Sequence, residues 1–262
     1  MNIFGLGSGK TKTFRPKRGK KKRPGLASGA PDMGEFSFAN LRADLRKFVV
    51  LPESQCEEEW LAVHTQDFFN LTNILYGTLS QYCTDDACPV MSAGPLYEYW
   101  WRDEVKKKAQ QVSAPVYVDS LMQWIEDQMG DEAIFPSPAT VADVAAGGSA
   151  ASSTGGDAQS PDQELAAVAL ASNAFPPNFK SVVKKIFSRL FRVYGHIYHT
   201  HLQHIIALDQ ELHLNSVFLH LIFFIQEFKL VEKKELEPLN EVIDRLVSAA
   251  DAETTEESST TG

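Results

Sequence analysis

Two cysteines stand five positions apart in the stretch CTDDAC, as Cys83 and Cys88, and more than a hundred residues later four histidines crowd into nine positions, at His196, His199, His201 and His204. A cysteine pair with four residues between its members fits zinc-ligand spacing, and so does the pair His196 and His201. The distance between the two clusters excludes a short finger in which one loop holds both pairs. A shared ion would instead join two distant elements of a larger domain. Two thiolates and two imidazoles would fill a tetrahedron and leave no position for water, so such a site is structural. Geometry leaves the choice of histidines open. On an ideal helix, residues five apart diverge by about 140°, whereas residues three apart share a face. Spacing alone therefore allows His196 with His199, or His201 with His204. Pairing His196 with His201 needs a bent helix or an ion reached from two sides.

The chain has 262 residues, 44% hydrophobic and 23% charged, which suits one ordinary globular domain with tails. Cys56 is the third cysteine and has no obvious partner, so a disulfide framework is not expected and a reducing compartment is. The N-terminus lacks an apolar signal core, running straight into Lys10, Lys12 and Arg15. The most apolar run, 217–225, is interrupted by His220 and falls short of the roughly 20 residues that a membrane span needs. These features predict a soluble intracellular protein, placed in the cytoplasm with the nucleus as a second compartment.

The net charge of −9 conceals a segregation, because residues 10–23 carry nine Lys or Arg and no acid while the last fourteen residues carry only acids. Residues 1–35, rich in Gly, Pro, Ser and Lys, read as a disordered basic tail. A single domain is expected over 36–248, interrupted at 137–175 by a low-complexity insertion of Ala, Ser and Gly. Residues 249–262 read as a disordered acidic tail. Within the domain, Trp60, Val63, Phe68, Leu71, Leu75 and Leu79 recur near helical spacing, and CTDDAC follows in a loop. Gly94-Pro95 then marks a turn beside a short aromatic alternation that suits a hairpin. Helices are expected over 117–129, 179–207, 209–230 and about 236–247. The class is all-α, with antiparallel helices around one core.

Three stretches together closely resemble the Mob family of kinase co-activators: LPESQCEEEWLAVHTQDFFNLTNILYGTLSQYCTDDACPVMSAGPLYEYWW, then IFSRLFRVYGHIYHTHLQHI, then HLNSVFLHLIFFIQEF. The resemblance covers about 41–136 and 175–247. It implies a Mob-type domain around a four-helix bundle, with at most a short β-hairpin. It also implies one structural zinc on Cys83, Cys88, His196 and His201, the wider histidine pair. The implied function is non-catalytic. Such proteins bind a helical regulatory segment next to the catalytic domain of NDR/LATS-class Ser/Thr kinases, and they dock phosphorylated segments of an upstream Ste20-like kinase or scaffold, as in Hippo and mitotic-exit signalling. No small-molecule substrate is implied.

The residues bear on this division of labour. Between Phe179 and Leu208 there is no acid, yet Lys185, Arg189 and Arg192 are spaced four and three apart and fall on one helix face. Clustered guanidinium groups suit capture of a phosphate, and the resemblance marks this face as the phosphopeptide site. One departure matters: the best-known subgroup carries Lys-Arg where this chain has Ser188-Arg189. An opposite, acidic surface contains Glu59, Trp60 and Asp67, which match the family's kinase-binding surface, with His220 at a further contact position. Acids in a first helical turn also suit the helix dipole, and Trp60 is equally readable as core. Thr13, before Phe14, resembles the family's phosphorylated tail threonine.

Three rival readings are weaker. A zinc hydrolase needs an open coordination position and a motif such as HExxH, and the sequence has no such motif. The GSGKT run at 7–11 has Phe4 where a phosphate-binding loop requires glycine. The basic tail allows nucleic-acid binding as an alternative function, but no aromatic interleaving in a folded module supports it.

Overall fold

The computed structural model describes residues 14–16, 45–102, 108–145 and 171–260. Strand β1 is Phe14–Pro16 and helix α1 is Leu45–Val49. Helix α2, Glu57–Gly77, begins after Cys56 in extended conformation, with three glutamates in the first turn where they face the positive end of the dipole. Its buried residues Leu61, Thr65, Phe68, Thr72, Leu75 and Tyr76 recur at helical spacing. The two buried threonines satisfy their hydroxyls on the carbonyls of Leu61 and Phe68, at 2.6 and 2.7 Å. Thr72 also meets the Tyr194 hydroxyl at 3.1 Å, joining α2 to a helix more than a hundred positions away.

Helix α3 is Ala114–Met129, with Pro at its start, and α4 is Pro138–Ala145. Helix α5, Phe179–His196, is buried along almost its whole second half. A five-residue π-helix, Ile197–His201, continues it into α6, Leu202–Ala207. Helix α7, Glu211–Glu227, has apolar residues on nearly every side and is buried accordingly. Helix α8 is Lys233–Leu236, and after a 3₁₀ turn at Glu237–Leu239, α9 runs Asn240–Thr260.

Helices α2, α3, α5 and α7 form the expected four-helix bundle. Its centre is aromatic. Phe224 of α7 stacks on Phe187 of α5 at 5.3 Å, and Phe187 meets Phe68 of α2 edge-on at 5.5 Å. Below them Phe218 packs on Phe191, Tyr194 and Tyr198.

The strands exceed the single hairpin expected. Ser92–Ala93 (β2) and Tyr97–Tyr99 (β3) pair antiparallel around Gly94, whose φ of 62° is a conformation that favours glycine. β1 adds to the other side of β3, pairing Phe14 with Tyr99 and Pro16 with Tyr97. Trp101–Arg102 (β4) pairs with Ala109–Gln110 (β5). Part of the tail expected to be disordered thus forms an edge strand, where a proline is tolerated. The rest of 1–35 lies outside the described residues.

Two other expectations need correction. The ends of the insertion are not linker: Val141, Ala171 and Phe175 are buried, and Phe175 packs on Phe179 at 4.6 Å. A few apolar side chains suffice to anchor an Ala- and Ser-rich stretch. The acidic tail continues α9 to Thr260, because the run contains no Gly or Pro before Gly262 to stop it. Ala250 is buried, and Asp251 pairs with Arg46 at 3.2 Å, tying the helix back to α1. Among the described residues no helix is long and apolar enough to cross a membrane.

Candidate functional site

The open question about the histidines is answered by the π-helix. A π turn carries i→i+5 hydrogen bonds, so residues five apart return to the same side. Ile197–His201 follows directly on His196, and the rings of His196 and His201 lie 5.0 Å apart. His199 is turned away, with its Nε2 2.9 Å from the Pro238 carbonyl, and His204 stacks on Tyr82 at 4.3 Å. The loop between α2 and β2 supplies the sulfurs. Its tight turns, with Cys83 N–H donating to the Leu79 carbonyl and Cys88 N–H to the Thr84 carbonyl, aim both thiols at the histidines.

Cys83 Sγ lies 3.5 Å from His196 Nε2, and Cys88 Sγ lies 3.4 Å from His201 Nε2. All four residues are buried, and their ligand atoms lie within 4.8 Å of one another. Bonds of about 2.3 Å to sulfur and about 2.0–2.1 Å to nitrogen around a tetrahedral zinc give S···N edges of about 3.6 Å. The observed separations match those edges. His196 Nδ1 donates to the Ser92 carbonyl at 2.9 Å, which leaves the Nε2 lone pair directed at the thiols. Burial, reinforced by Cys83, pushes the Cys88 thiol up to about 12, and burial also raises Cys83. Burial and the neighbouring His196 and His204 hold His201 down to about 4. Burial lowers His196 as well, so both imidazoles favour the neutral form that a metal ligand needs. The donor set could hold a metal ion, and its chemistry fits zinc.

The basic surface differs from its expectation. Only Lys185 projects from the face; Arg189 and Arg192 are each 5% exposed. The Arg189 guanidinium lies between Trp101 and Trp124, at 4.6 and 4.3 Å from their ring centres. Arg192 donates to the Tyr117 hydroxyl at 3.3 Å and approaches Glu235 at 3.6 Å. Both arginines border a groove of about 1580 Å³ between α5 and the α7–α8 turn, whose rim carries Lys184, Lys185, Lys229, Lys233 and Lys234. Sequence reasoning missed Glu235 and both tryptophans, since nothing local links them to α5.

The acidic residues of α2 divide between internal contacts and an exposed face. Glu57 pairs with Lys180 at the start of α5, and Glu58 accepts from the Ser172 hydroxyl at the insertion's far end. Glu59 is half-buried, and Asp67 is exposed on the same side of α2 as Val63 and Ile74, two large exposed apolar residues. Trp60 contacts His64 at 4.3 Å, and His64 stacks on Phe224 at 4.8 Å. Phe68 in turn meets His220 at 4.8 Å. His64, which sequence reasoning missed, therefore links Trp60 through Phe224 and Phe68 to His220 where α2 packs on α7. The Trp60 indole N–H and His220 Nε2 are buried without a hydrogen-bond partner among the described residues. Thr13 lies outside the described residues.

His220 titrates below the usual 6.5, chiefly through burial and then through His64, with Asp67 opposing. A histidine depressed in the folded state takes up its proton more readily when unfolded. Its contribution to stability is therefore full above 6.5 and is lost as pH falls through its folded value. Urea denaturation should show stability declining below about pH 6.5, and His220→Gln should flatten the decline. An unchanged slope in the variant would show that another group titrates there.

The sequence model of the Mob1/phocein family matches residues 39–145 and 157–239. This chain belongs to that family. Among its Mob relatives is "MOB kinase activator-like 1A" of Arabidopsis thaliana, 47% identical over 249 residues, covering 95% of this chain and 99% of the relative. "MOB kinase activator-like 1 homolog A" of Dictyostelium discoideum is 46% identical, covering 94% and 99%. "MOB kinase activator-like 1A" of Medicago sativa subsp. falcata is 45% identical, again over 94% and 99%. The Mob match spans both halves of the Cys–His cluster and both candidate partner surfaces.

Proposed function

We propose that this Mob protein is a non-catalytic kinase co-activator that holds the regulatory segment of an NDR/LATS-class kinase against the Trp60 surface and docks a phosphorylated upstream segment in the basic groove. The observation that carries the first part is the cluster of half-buried Trp60, His64 and His220 over the buried Phe68, flanked by exposed Asp67. An aromatic anchor beside carboxylates suits an amphipathic basic helix, and the relatives' names as kinase activators support that partner. The second part draws on the groove's lysine rim and on the two arginines at its base. Zinc on Cys83, Cys88, His196 and His201 would serve the fold, clamping the Cys83–Cys88 loop to the junction of α5 and α6.

The test is binding of a recombinant kinase regulatory segment by calorimetry. Trp60→Ala with Asp67→Lys is expected to weaken it at least about tenfold while leaving the melting temperature within a few degrees. Undiminished affinity in a folded double variant would remove this surface from the proposal.

A further inference from the structure

The basic groove already contains a carboxylate. Glu235 projects from α8, accepts a hydrogen bond from the Ser188 hydroxyl through Oε2, and presents the same oxygen to Arg192 at 3.6 Å. Its side chain is 28% exposed against 6% for Arg192, so the acid lies on the groove side of the arginine. The surroundings explain why it settles there. Lys233 and Lys234 precede it on the same short helix, Lys229 stands at the preceding turn, and Lys184 and Lys185 face it from α5. Glu232 and Asp244 also line the groove, but it is Glu235 that reaches Arg192, where the small Ser188 leaves it room and adds a hydrogen bond. A carboxylate bridging a hydroxyl donor and a guanidinium makes the contacts that a phosphate oxygen would make there.

We propose that Glu235 is an internal competitor of the phosphorylated ligand, anchored by Ser188 on Arg192 and displaced when a phosphate enters. The inference rests on the reading of this groove as a phosphopeptide dock. A doubly charged phosphate can outcompete one carboxylate for the arginine, whereas an unphosphorylated or merely acidic peptide offers no more charge than Glu235 already supplies. Glu235 thereby sets specificity: it lowers affinity for every anion but costs weak anions all of their advantage. Ser188 has the complementary role, since a long cation at that position would reach the phosphate directly, while serine can only hold the competitor in place.

The experiment is a calorimetric titration of zinc-loaded full-length protein with a degenerate phosphothreonine peptide, its unphosphorylated counterpart and an acidic peptide with glutamate at the same position. Wild type is compared with Glu235→Gln, Ser188→Ala and Arg192→Ala, each checked for an unchanged far-ultraviolet spectrum. Glu235→Gln should bind the phosphopeptide about three- to tenfold more tightly, and should begin to bind the glutamate peptide. Ser188→Ala, which frees the carboxylate without removing its charge, should give a smaller gain in the same direction. Arg192→Ala should lose the phosphate-dependent part. If wild type binds the phosphopeptide and both Glu235→Gln and Ser188→Ala bind it no better, Glu235 is a structural pair and the competitor role is overturned while the dock stands. If neither wild type nor Glu235→Gln distinguishes the phosphopeptide from its counterpart, the dock itself falls and the competitor with it.

Discussion

Cys83→Ser is expected to abolish metal binding at the Cys–His cluster and to lower the melting temperature by roughly 10–20 °C. Structural zinc contributes on the order of 10 kcal/mol in small domains, comparable to the whole stability of many proteins. Here the packing of Phe68, Phe187 and Phe224 uses no residue of the site or the π-helix, so part of the fold should survive as a loosened state. What the substitution removes is the metal's tie between the Cys83–Cys88 loop and the π-helix, leaving the Tyr82–His204 stack and the His196–Ser92 hydrogen bond to hold them together. Without the ion, the buried thiols and imidazoles face one another as polar groups with poor partners. The measurement is paired: metal content by atomic emission and melting by circular dichroism, with Cys56→Ser as control. Cys56 lies outside the cluster and should keep its metal. Equal metal content and melting in Cys83→Ser and wild type would exclude the clamp.

Phe224→Ala should cost about 3–5 kcal/mol, the scale of emptying a large aromatic site in a packed core. Phe224 is fully buried and touches the rings of His64, Phe68, Phe187 and Phe228. Its neighbours come from α2, α5 and the end of α7, so no single side chain can move in to fill the space. Because His64 stacks directly on Phe224, the variant should also loosen the platform beneath Trp60. Urea unfolding gives the first number, and affinity for the kinase segment at a temperature where the variant is folded gives the second. A loss below about 1 kcal/mol would mean that the cavity collapses, and a fully rigid partner surface would then be expected.

Much of this was readable in the chain, for identifiable reasons. The apolar spacing of Phe68 and Leu75 follows from the helical repeat, and the placement of Gly94 in a tight turn follows from its permissive backbone. The cysteine and histidine clusters were legible as ligand types, but their pairing was not, because regular α geometry sends His196 and His201 in different directions. Only the family likeness named that pair, and only the π-helix supplies its physical cause. The burial of Arg189 and Arg192 was not legible, since charge normally marks a solvated face and the tryptophans that cover Arg189 are distant in the chain. Glu235 was invisible for a related reason: it lies 47 positions from Ser188, and an acid within KKEL reads as one charge in a mixed surface run. The helical C-terminal run was misread by treating acidity as disorder, although nothing there stops a helix.

The π-helix between α5 and α6 has a further consequence. Each helical residue advances the side-chain direction by about 100°, so one residue accommodated in excess within a turn resets the phase of everything after it. Leu202 and Ile205, beyond the offset, are both buried. The metal ligands stand at the two boundaries of the offset, His196 before it and His201 at its end. Binding an ion there would do more than fasten a loop: it would act as a register mark, holding two stretches of one helix in a relative rotation that neither stretch specifies by itself.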